Sequence, residues 1–278
     1  MQVIGIISGI GELPVIIARD ARERGYKVIT VALENLASPE LNNFSDEIRW
    51  INAGKLGEII NTLSSFDVKE AIMAGKVPKA LLYKSGITPD LRAVKLLFSL
   101  KDRNDDSILN AITKELESEG INILNTTAFS PHLLTPEGVL TRNKPSKDEW
   151  NDVEYGWKMA KGIGSLDIGQ AVVVRGKAVM AVEAIEGTDE AIARGGKLAG
   201  EGAVVVKVSK PHQDMRLDVP VIGSNTLKTM IEVKARVLAV EAHRSIIIDR
   251  ERMIKEADEA GIAIVGVNNL ELQTARNK

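Results

Sequence analysis

Val3-Ile4-Gly5-Ile6-Ile7-Ser8-Gly9-Ile10-Gly11-Glu12-Leu13-Pro14 is the stretch on which the fold turns. Val3–Ile7 is a short continuous apolar run, as in a strand buried on both faces. Pro14 suits the start of a helix, where the N–H it lacks would have no intrahelical partner. An apolar-periodic run then continues to about Arg24, and Gly25 stops it. Lys27–Ala32 follows as a second strand. Strand, glycine turn and helix form an arrangement in which backbone N–H groups and the helix dipole receive a phosphate.

The pattern repeats outward from there. A polar connection leads to Arg49–Ile51, and a helix runs from about Lys55 to Ser64. Ala71–Ala74 is a short strand ending at Gly75-Lys76. Pro89–Lys101 and Asp105–Ser118 read as helices, and Ile121–Leu124 as a further strand. Strands alternating with helices imply a parallel sheet with helices on its faces. From about Thr135 the texture changes, with Pro136, Gly138, Asn143 and Pro145 marking a linker. Beyond it, a helix from about Lys147 to Ile163 is followed by a hairpin, Gln170–Arg175 and Ala178–Ala184, turning at Gly176-Lys177. Thr188 caps a helix to about Leu198. Ala203–Val208, Val237–Glu241, Ser245–Ile248 and Ile262–Val267 are strands, a helix starts near Asn225, and Arg250–Ala260 is another helix. The expected class is α/β. Residues 1–134 form a Rossmann-like parallel-sheet domain, 135–146 a linker, and 147–278 a mixed α/β catalytic domain.

Composition narrows the function. The 278 residues are 44% hydrophobic and 27% charged, enough for a sizeable core. A formal net charge of −2 argues against a nucleic-acid binder, which is usually basic. With no cysteine, thiolate nucleophiles and cysteine-ligated zinc are excluded. MQVIGIISG reads as a strand and not a signal peptide. No apolar run approaches the ~20 residues that span a bilayer. The expected location is the cytoplasm, with contact at a membrane surface open.

Several stretches carry candidate chemistry. In the turn Gly9-Ile10-Gly11-Glu12-Leu13, the sixth position of a dinucleotide fingerprint is occupied by Pro14. Proline removes an N–H and denies the close packing that glycine gives, so phosphate contact fits better than a nicotinamide site. Glu34 falls roughly where a ribose-binding acid would stand. Gly75-Lys76 sits at the carboxyl end of a strand, the edge where open α/β sheets bind ligands. An ordinary exposed lysine is the plainer reading of Lys76. Asp105 and Asp106 suit a helix start, which explains both. Lys79–Lys101 is basic and amphipathic; its apolar face is either core or a surface for anionic lipid. Glu183-Ala184-Ile185-Glu186-Gly187-Thr188-Asp189 places acids at a helix start, suited to a phosphate–metal pair or to plain capping. His132, His212 and His243 lack the spacing of paired zinc ligands.

The densest stretch is Ser209–Gly223, SKPHQDMRLDVPVIG. Asp214 and Asp218 flank Arg216 in a loop that Pro211 and Pro220 hold extended. Carboxylates there suit Mg²⁺ or Mn²⁺, and an arginine can clamp a phosphate. A surface salt-bridge cluster is the alternative, but it needs no flanking prolines.

These motifs in their order resemble one family over essentially the whole chain. They are IISGIGELP (Ile6–Pro14), MAGKV (Met73–Val77), RNDDSIL (Arg103–Leu109), SLDIGQAVVV (Ser165–Val174), AVEAIEGTD (Ala181–Asp189), KPHQDMRLDVPVIG (Lys210–Gly223) and Ile248-Asp249-Arg250-Glu251. The chain resembles the two-domain UDP-2,3-diacylglucosamine pyrophosphatases of the lipid A pathway, a type first known as a domain of unknown function. The resemblance implies Mg²⁺-dependent hydrolysis of UDP-2,3-diacylglucosamine to UMP and 2,3-diacylglucosamine 1-phosphate, with water directed to the sugar-side phosphorus. It also implies two domains with the lipid product held between them. The family's essential aspartate falls in the segment reading RLDVP, so Asp218 takes the catalytic or metal-holding role, supported by Asp214, with Arg216 as a phosphate partner. Gly9, Ile10, Gly11, Glu12, Leu13, Gly75, Lys76, Gln170, Thr188 and Asp189 become the expected substrate contacts. The expected partner is a lipid-linked UDP-sugar and not nucleic acid. Peripheral contact with the inner membrane surface and a homodimer stay open. Two other readings compete: a dinucleotide-dependent oxidoreductase, and a non-enzymatic nucleotide-sugar or lipid-binding protein.

Overall fold

A computed structural model describes residues 1–78, 88–100, 105–211 and 213–268. The chain forms two compact units. The first is Met1–Pro131 together with Met215–Asp218, and the second is His132–Asp214 together with Val219–Lys278.

The first unit is a parallel α/β layer. Its strands are β1 (Val3–Ser8), β2 (Lys27–Leu33), β3 (Glu47–Ile51), β4 (Glu70–Ala74) and β5 (Asn122–Ile123). Among the described residues they form one sheet in the order β3-β2-β1-β4-β5, with every pairing parallel. This order follows from the sequence pattern. The inner strands are apolar runs that must be covered on both faces, and helices supply the cover. Ile7, Ile29, Val31 and Leu33 pack with Ile60 and Leu63 of the Leu56–Ser65 helix and Leu116 of the Asp105–Ser118 helix. The winding reverses between β1 and β4, so their carboxyl ends frame the crevice where sheets of this kind bind ligands. Arg49–Ile51 begins earlier than expected, at Glu47, because the pairing with β2 continues to Ile29.

The second unit is built on a mixed sheet. Its strands are β6 (Gly138–Val139), β7 (Ala171–Arg175), β8 (Ala178–Val182), β9 (Val204–Lys207), β11 (Val237–Glu241) and β13 (Ala263–Val267), in the order β6-β13-β11-β9-β7-β8. β9, β11 and β13 run parallel, and the other pairings are antiparallel. Side chains alternate between two cores. Val173 and Val205 face Ile192, Leu227, Met230 and Met253 of three helices, Thr188–Ala199, Ser224–Glu232 and Arg250–Glu259. Val172, Val174, Val204 and Val206 face Val153, Trp157 and Ala160 of the Lys147–Ser165 helix. That is the period of two expected of strands buried on both sides. Ser146 and Glu149 cap the Lys147–Ser165 helix reciprocally, through Ser146 N–H to Glu149 (2.6 Å) and Glu149 N–H to the Ser146 hydroxyl (3.3 Å).

Local differences from the sequence reading have clear causes. The hairpin turn at Gly176-Lys177 is present, with both residues at positive φ (58° and 57°). Gly187, not Thr188, is the N-cap of the Thr188–Ala199 helix, because its φ of 90° suits glycine and frees Thr188 to enter the first turn. The helix expected near Asn225 starts one residue earlier, at Ser224. Ser245–Ile248 contributes only β12 (Ile246–Ile247), which pairs with β10 (Val221–Ile222). Within 135–146, Gly138–Val139 add an edge strand against β13. Among the described residues, no helix is long and apolar enough to cross a membrane.

Candidate active site

The first unit sets its glycine turn at the switch point. Beyond β1, Gly9 N–H donates to Ala74 O (2.8 Å) and Ile10 N–H to Lys76 O (2.9 Å), while Lys76 N–H returns to Ile10 O (2.9 Å). The two loops leaving β1 and β4 are therefore zipped together. Glycine is required on both sides: a Cβ on Gly9 would lie 2.7 Å from Lys76 O, and one on Gly75 would lie 2.7 Å from the Gly9 carbonyl carbon. Gly75 also has φ +87°. Gly11, at φ +118°, has no atom of the described residues within 4 Å on its Cβ side. Glu12 is the N-cap of the Leu13–Glu23 helix and makes no side-chain cap, so no side chain competes for the N–H groups of the first turn. Ile10, Gly11, Glu12, Gly75 and Lys76 are exposed, whereas the Leu13 side chain is buried. Only the backbone of Leu13 can meet a ligand.

The tetrapeptide Met215–Asp218 groups with this same unit. Thr126 N–H donates to Met215 O (3.3 Å), and the Thr126 hydroxyl donates to Arg216 O (3.1 Å). Leu217 packs against the core of the parallel sheet. The Arg216 guanidinium lies 3.0 Å from Glu117 Oε1, so a phosphate at Arg216 would have to compete with a carboxylate. Asp218 is half-buried.

In the second unit, Gln170 and Thr188 come together around a buried acid, and Asp189 turns to a different partner. Glu183 is 8% exposed. Its Oε1 accepts from the Thr188 hydroxyl (2.7 Å), and its Oε2 accepts from Gln170 N–H (3.1 Å). Lys207 Nζ, also buried, donates to Thr188 Oγ1 (3.0 Å) and Val221 O (2.9 Å). Thr188 Oγ1 thus relays between a buried cation and a buried carboxylate. The Asp189 carboxylate accepts from the Thr226 hydroxyl (2.7 Å), tying the first turns of two helices. Asp189 is engaged in structure to an extent the capping and metal readings did not foresee. At the rim, the Glu186 carboxyl sits below its ordinary value, because its own backbone N–H and then the Arg194 guanidinium stabilise the ionised form. Gln170 Oε1 is buried and, among the described residues, has no hydrogen-bond partner. Such an atom is costly unless something donates to it.

Sequence reasoning missed Lys207. The signal was available, since a lysine stands in the otherwise apolar run Ala203–Val208. His212, Arg103 and Asn104 lie outside the described residues. His132 and His243 are exposed. Asp214 is half-buried in the second unit. Among the described residues, no group of three or more His, Asp or Glu could hold a metal.

Two domain models match the chain: the LpxI N-terminal domain over residues 3–133 and the LpxI C-terminal domain over residues 136–265. The chain is 31% identical over 279 aligned residues to the UDP-2,3-diacylglucosamine pyrophosphatase LpxI of Caulobacter vibrioides, covering 96% of this chain and 98% of that protein. The chain belongs to the LpxI family. Among solved structures, phosphoribosylglycinamide synthetase from Anaerococcus prevotii is 13% identical and covers 63% of this chain and 32% of its own, at a TM-score of 0.27. The biotin carboxylase subunit of pyruvate carboxylase is 13% identical and covers 67% and 39%, also at 0.27. At that score the likeness carries no argument. Within the LpxI pattern, Met215–Asp218 lies in the stretch matched by the C-terminal domain model yet is counted with the first compact unit.

Proposed function

We propose that this chain hydrolyses the pyrophosphate bond of UDP-2,3-diacylglucosamine in lipid A synthesis, releasing UMP and 2,3-diacylglucosamine 1-phosphate. The observation that carries the reading is the full-length match to a relative named for that activity. The glycine turn at the switch point adds physical support, since its exposed backbone suits a phosphate. Exposed Lys76, beside it, would neutralise phosphate charge. Asp218 is the carboxylate assigned to the reaction, either orienting the attacking water or holding a cation, with Asp214 as the supporting acid. Arg216 joins it by exchanging Glu117 for a phosphate oxygen. Thr188 and Asp189 would order the N-terminal turn of their helix toward the substrate. Gln170 Oε1 would accept from a sugar hydroxyl or amide N–H. Mg²⁺, when bound, would neutralise charge on the pyrophosphate, and Asp218 is the residue proposed to hold it. Peripheral membrane contact fits a diacyl substrate, and the Leu91–Ser99 helix, with Leu91 and Phe98 more than 80% exposed, is the proposed surface.

The test is direct. Purified protein is incubated with UDP-2,3-diacylglucosamine in ¹⁸O-water, and both products are weighed by mass spectrometry. The expected result is UMP release with the label in 2,3-diacylglucosamine 1-phosphate. Asp218→Ala should abolish turnover while still retaining substrate. A wild-type protein that binds the lipid without cleaving it would replace the hydrolase with a binding protein.

A further inference from the structure

The Thr188 hydroxyl is engaged on two sides, and those bonds decide what it can offer a ligand. It donates to Glu183 Oε1 (2.7 Å) and accepts from Lys207 Nζ (3.0 Å). A carboxylate only accepts, and an ammonium only donates. A hydroxyl has one hydrogen and two lone pairs, so the hydrogen and one lone pair of Thr188 are already used. One lone pair remains, on a half-buried residue. Toward a ligand, Thr188 is therefore an acceptor only. A phosphate oxygen, itself an acceptor, gains nothing there.

The arrangement is held firmly. Glu183 and Lys207 are 8% and 6% exposed. The other Glu183 oxygen accepts from Gln170 N–H (3.1 Å), and Lys207 Nζ also donates to Val221 O (2.9 Å). Neither partner of Thr188 can swing away without leaving a buried polar group short. All of these residues belong to the second unit.

Two loops meet at Glu183, one before β7 and one after β8. They approach so closely that a Cβ on Gly169 would lie 2.1 Å from Glu183 O. They carry Leu166, Ile168 and Ile185, which are 71%, 46% and 84% exposed. The charged side chains of the same loops are paired, Asp167 with Lys210 and Glu186 with Arg194. Apolar side chains in water beside a fixed acceptor suit a ligand group that joins a donor to an alkyl chain. The secondary amide of a fatty acid is such a group.

We propose that Thr188, held as an acceptor by Glu183 and Lys207, reads the amide N–H of the N-acylated sugar. Thr188 is the specificity-determining contact, and Glu183 and Lys207 are positioning residues. The proposal rests on the reading of the substrate as UDP-2,3-diacylglucosamine, whose 2-acyl chain is joined through an amide.

The experiment gives the full-length protein this lipid and an analogue whose 2-acyl chain is joined through an ester, with oxygen in place of N–H. Wild type should favour the amide in kcat/KM by at least about tenfold, because the ester sets one acceptor against another. Glu183→Gln is the decisive variant. Gln170 N–H keeps the carboxamide oxygen, so the new NH₂ faces Thr188 and donates to it. Both lone pairs of Thr188 are then filled, and its hydrogen turns to the ligand. The preference for the amide should shrink to about twofold or less. Thr188→Val removes the acceptor and should also shrink the preference; it decides the matter if Glu183→Gln does not fold. A merely structural role would slow both lipids alike and keep the ratio. A wild-type ratio near one, or a folded variant that keeps the wild-type preference, would overturn the inference. If wild type cleaves neither lipid, the hydrolase reading fails, and the same ratio taken from dissociation constants decides the inference. Binding of neither lipid overturns both.

Discussion

Ile10 and Lys76 exchange backbone hydrogen bonds, 2.9 Å in each direction, across the point where the parallel sheet reverses its winding. The exchange makes a single rigid element of two loops, one after β1 and one after β4. It also explains why the phosphate-facing candidates of the first unit are mostly backbone: the side chains that would crowd the crossing are absent at Gly9 and Gly75.

Gly75→Ala should break this element. The new Cβ meets backbone atoms on the opposite loop at 2.7–2.9 Å, and the residue is held at φ +87°. Strain of about 1–3 kcal/mol is expected from the backbone conformation alone. The variant should unfold at a lower temperature, and its KM for the UDP-lipid should rise. Gly11→Ala is the control. It shares a positive φ but meets nothing within 4 Å among the described residues, so it should strain the turn without prying the loops apart. Equal loss in both would show that conformation, and not the crossing, decides.

In the second unit, Lys207→Met should be costly although it exchanges a charge for a good strand residue. Thr188 Oγ1 and Val221 O each lose a buried donor. Each group left short costs about 1–3 kcal/mol. Urea unfolding should show the drop. Adding Thr188→Val to Lys207→Met should cost less than the sum of the two, since one buried acceptor is then gone.

Asp258 gives the chain a defined acid sensitivity. Burial by itself would raise its carboxyl. The hydrogen bonds from the Arg142 backbone N–H and guanidinium and from Asn143 outweigh burial and hold it below the ordinary 3.8. Folded Asp258 is therefore the stronger acid, and its contribution is complete above the unfolded value and lost as pH falls through the lower folded one. Asp258→Asn should lower stability at pH 7 and flatten the decline of the urea midpoint below about pH 4. A wild-type slope in the variant would remove Asp258 from the acid response.

The fold was largely legible because its strongest signals are local. Val3–Pro14 carries strand, turn and helix start in one run, and the burial of its strand on both faces is written in the unbroken apolar residues. Ser146 and Glu149, three apart, announce a capping box. Two-residue strands such as Gly138–Val139 and Val221–Ile222 carry no periodicity and exist only through pairing with distant residues. The site divides along the same line. Gly9 and Gly75 stand out in sequence, but that each excludes a Cβ because of the other is a tertiary fact. Asp214 and Asp218 both stand out in their loop, and it is the family resemblance, not the loop's chemistry, that singles out Asp218. That its tetrapeptide groups with the first unit follows from Thr126 and from the packing of Leu217, neither of which the loop's own residues reveal.

The Leu91–Ser99 helix offers the sharpest test of how a diacyl substrate is met. Asp90 caps it through Ala93 N–H (2.8 Å), and Arg92 is held by Glu115 and Glu119, so the helix is firmly seated. Ala93 is buried and Leu96 packs on the sheet core, while Leu91 and Phe98 stand 81% and 82% exposed. The rest of the basic amphipathic stretch, residues 79–87 and 101, lies outside the described residues. Apolar side chains left in water on a seated helix cost nothing to remove from the fold, so Leu91→Ser/Phe98→Ser should keep its melting temperature. Each fully buried apolar side chain is worth about 1.5–3 kcal/mol, so contact with acyl chains should raise KM for UDP-2,3-diacylglucosamine by at least about tenfold. The deacylated UDP-glucosamine should be bound as by wild type. An equal rise for both substrates would take the acyl chains away from this helix.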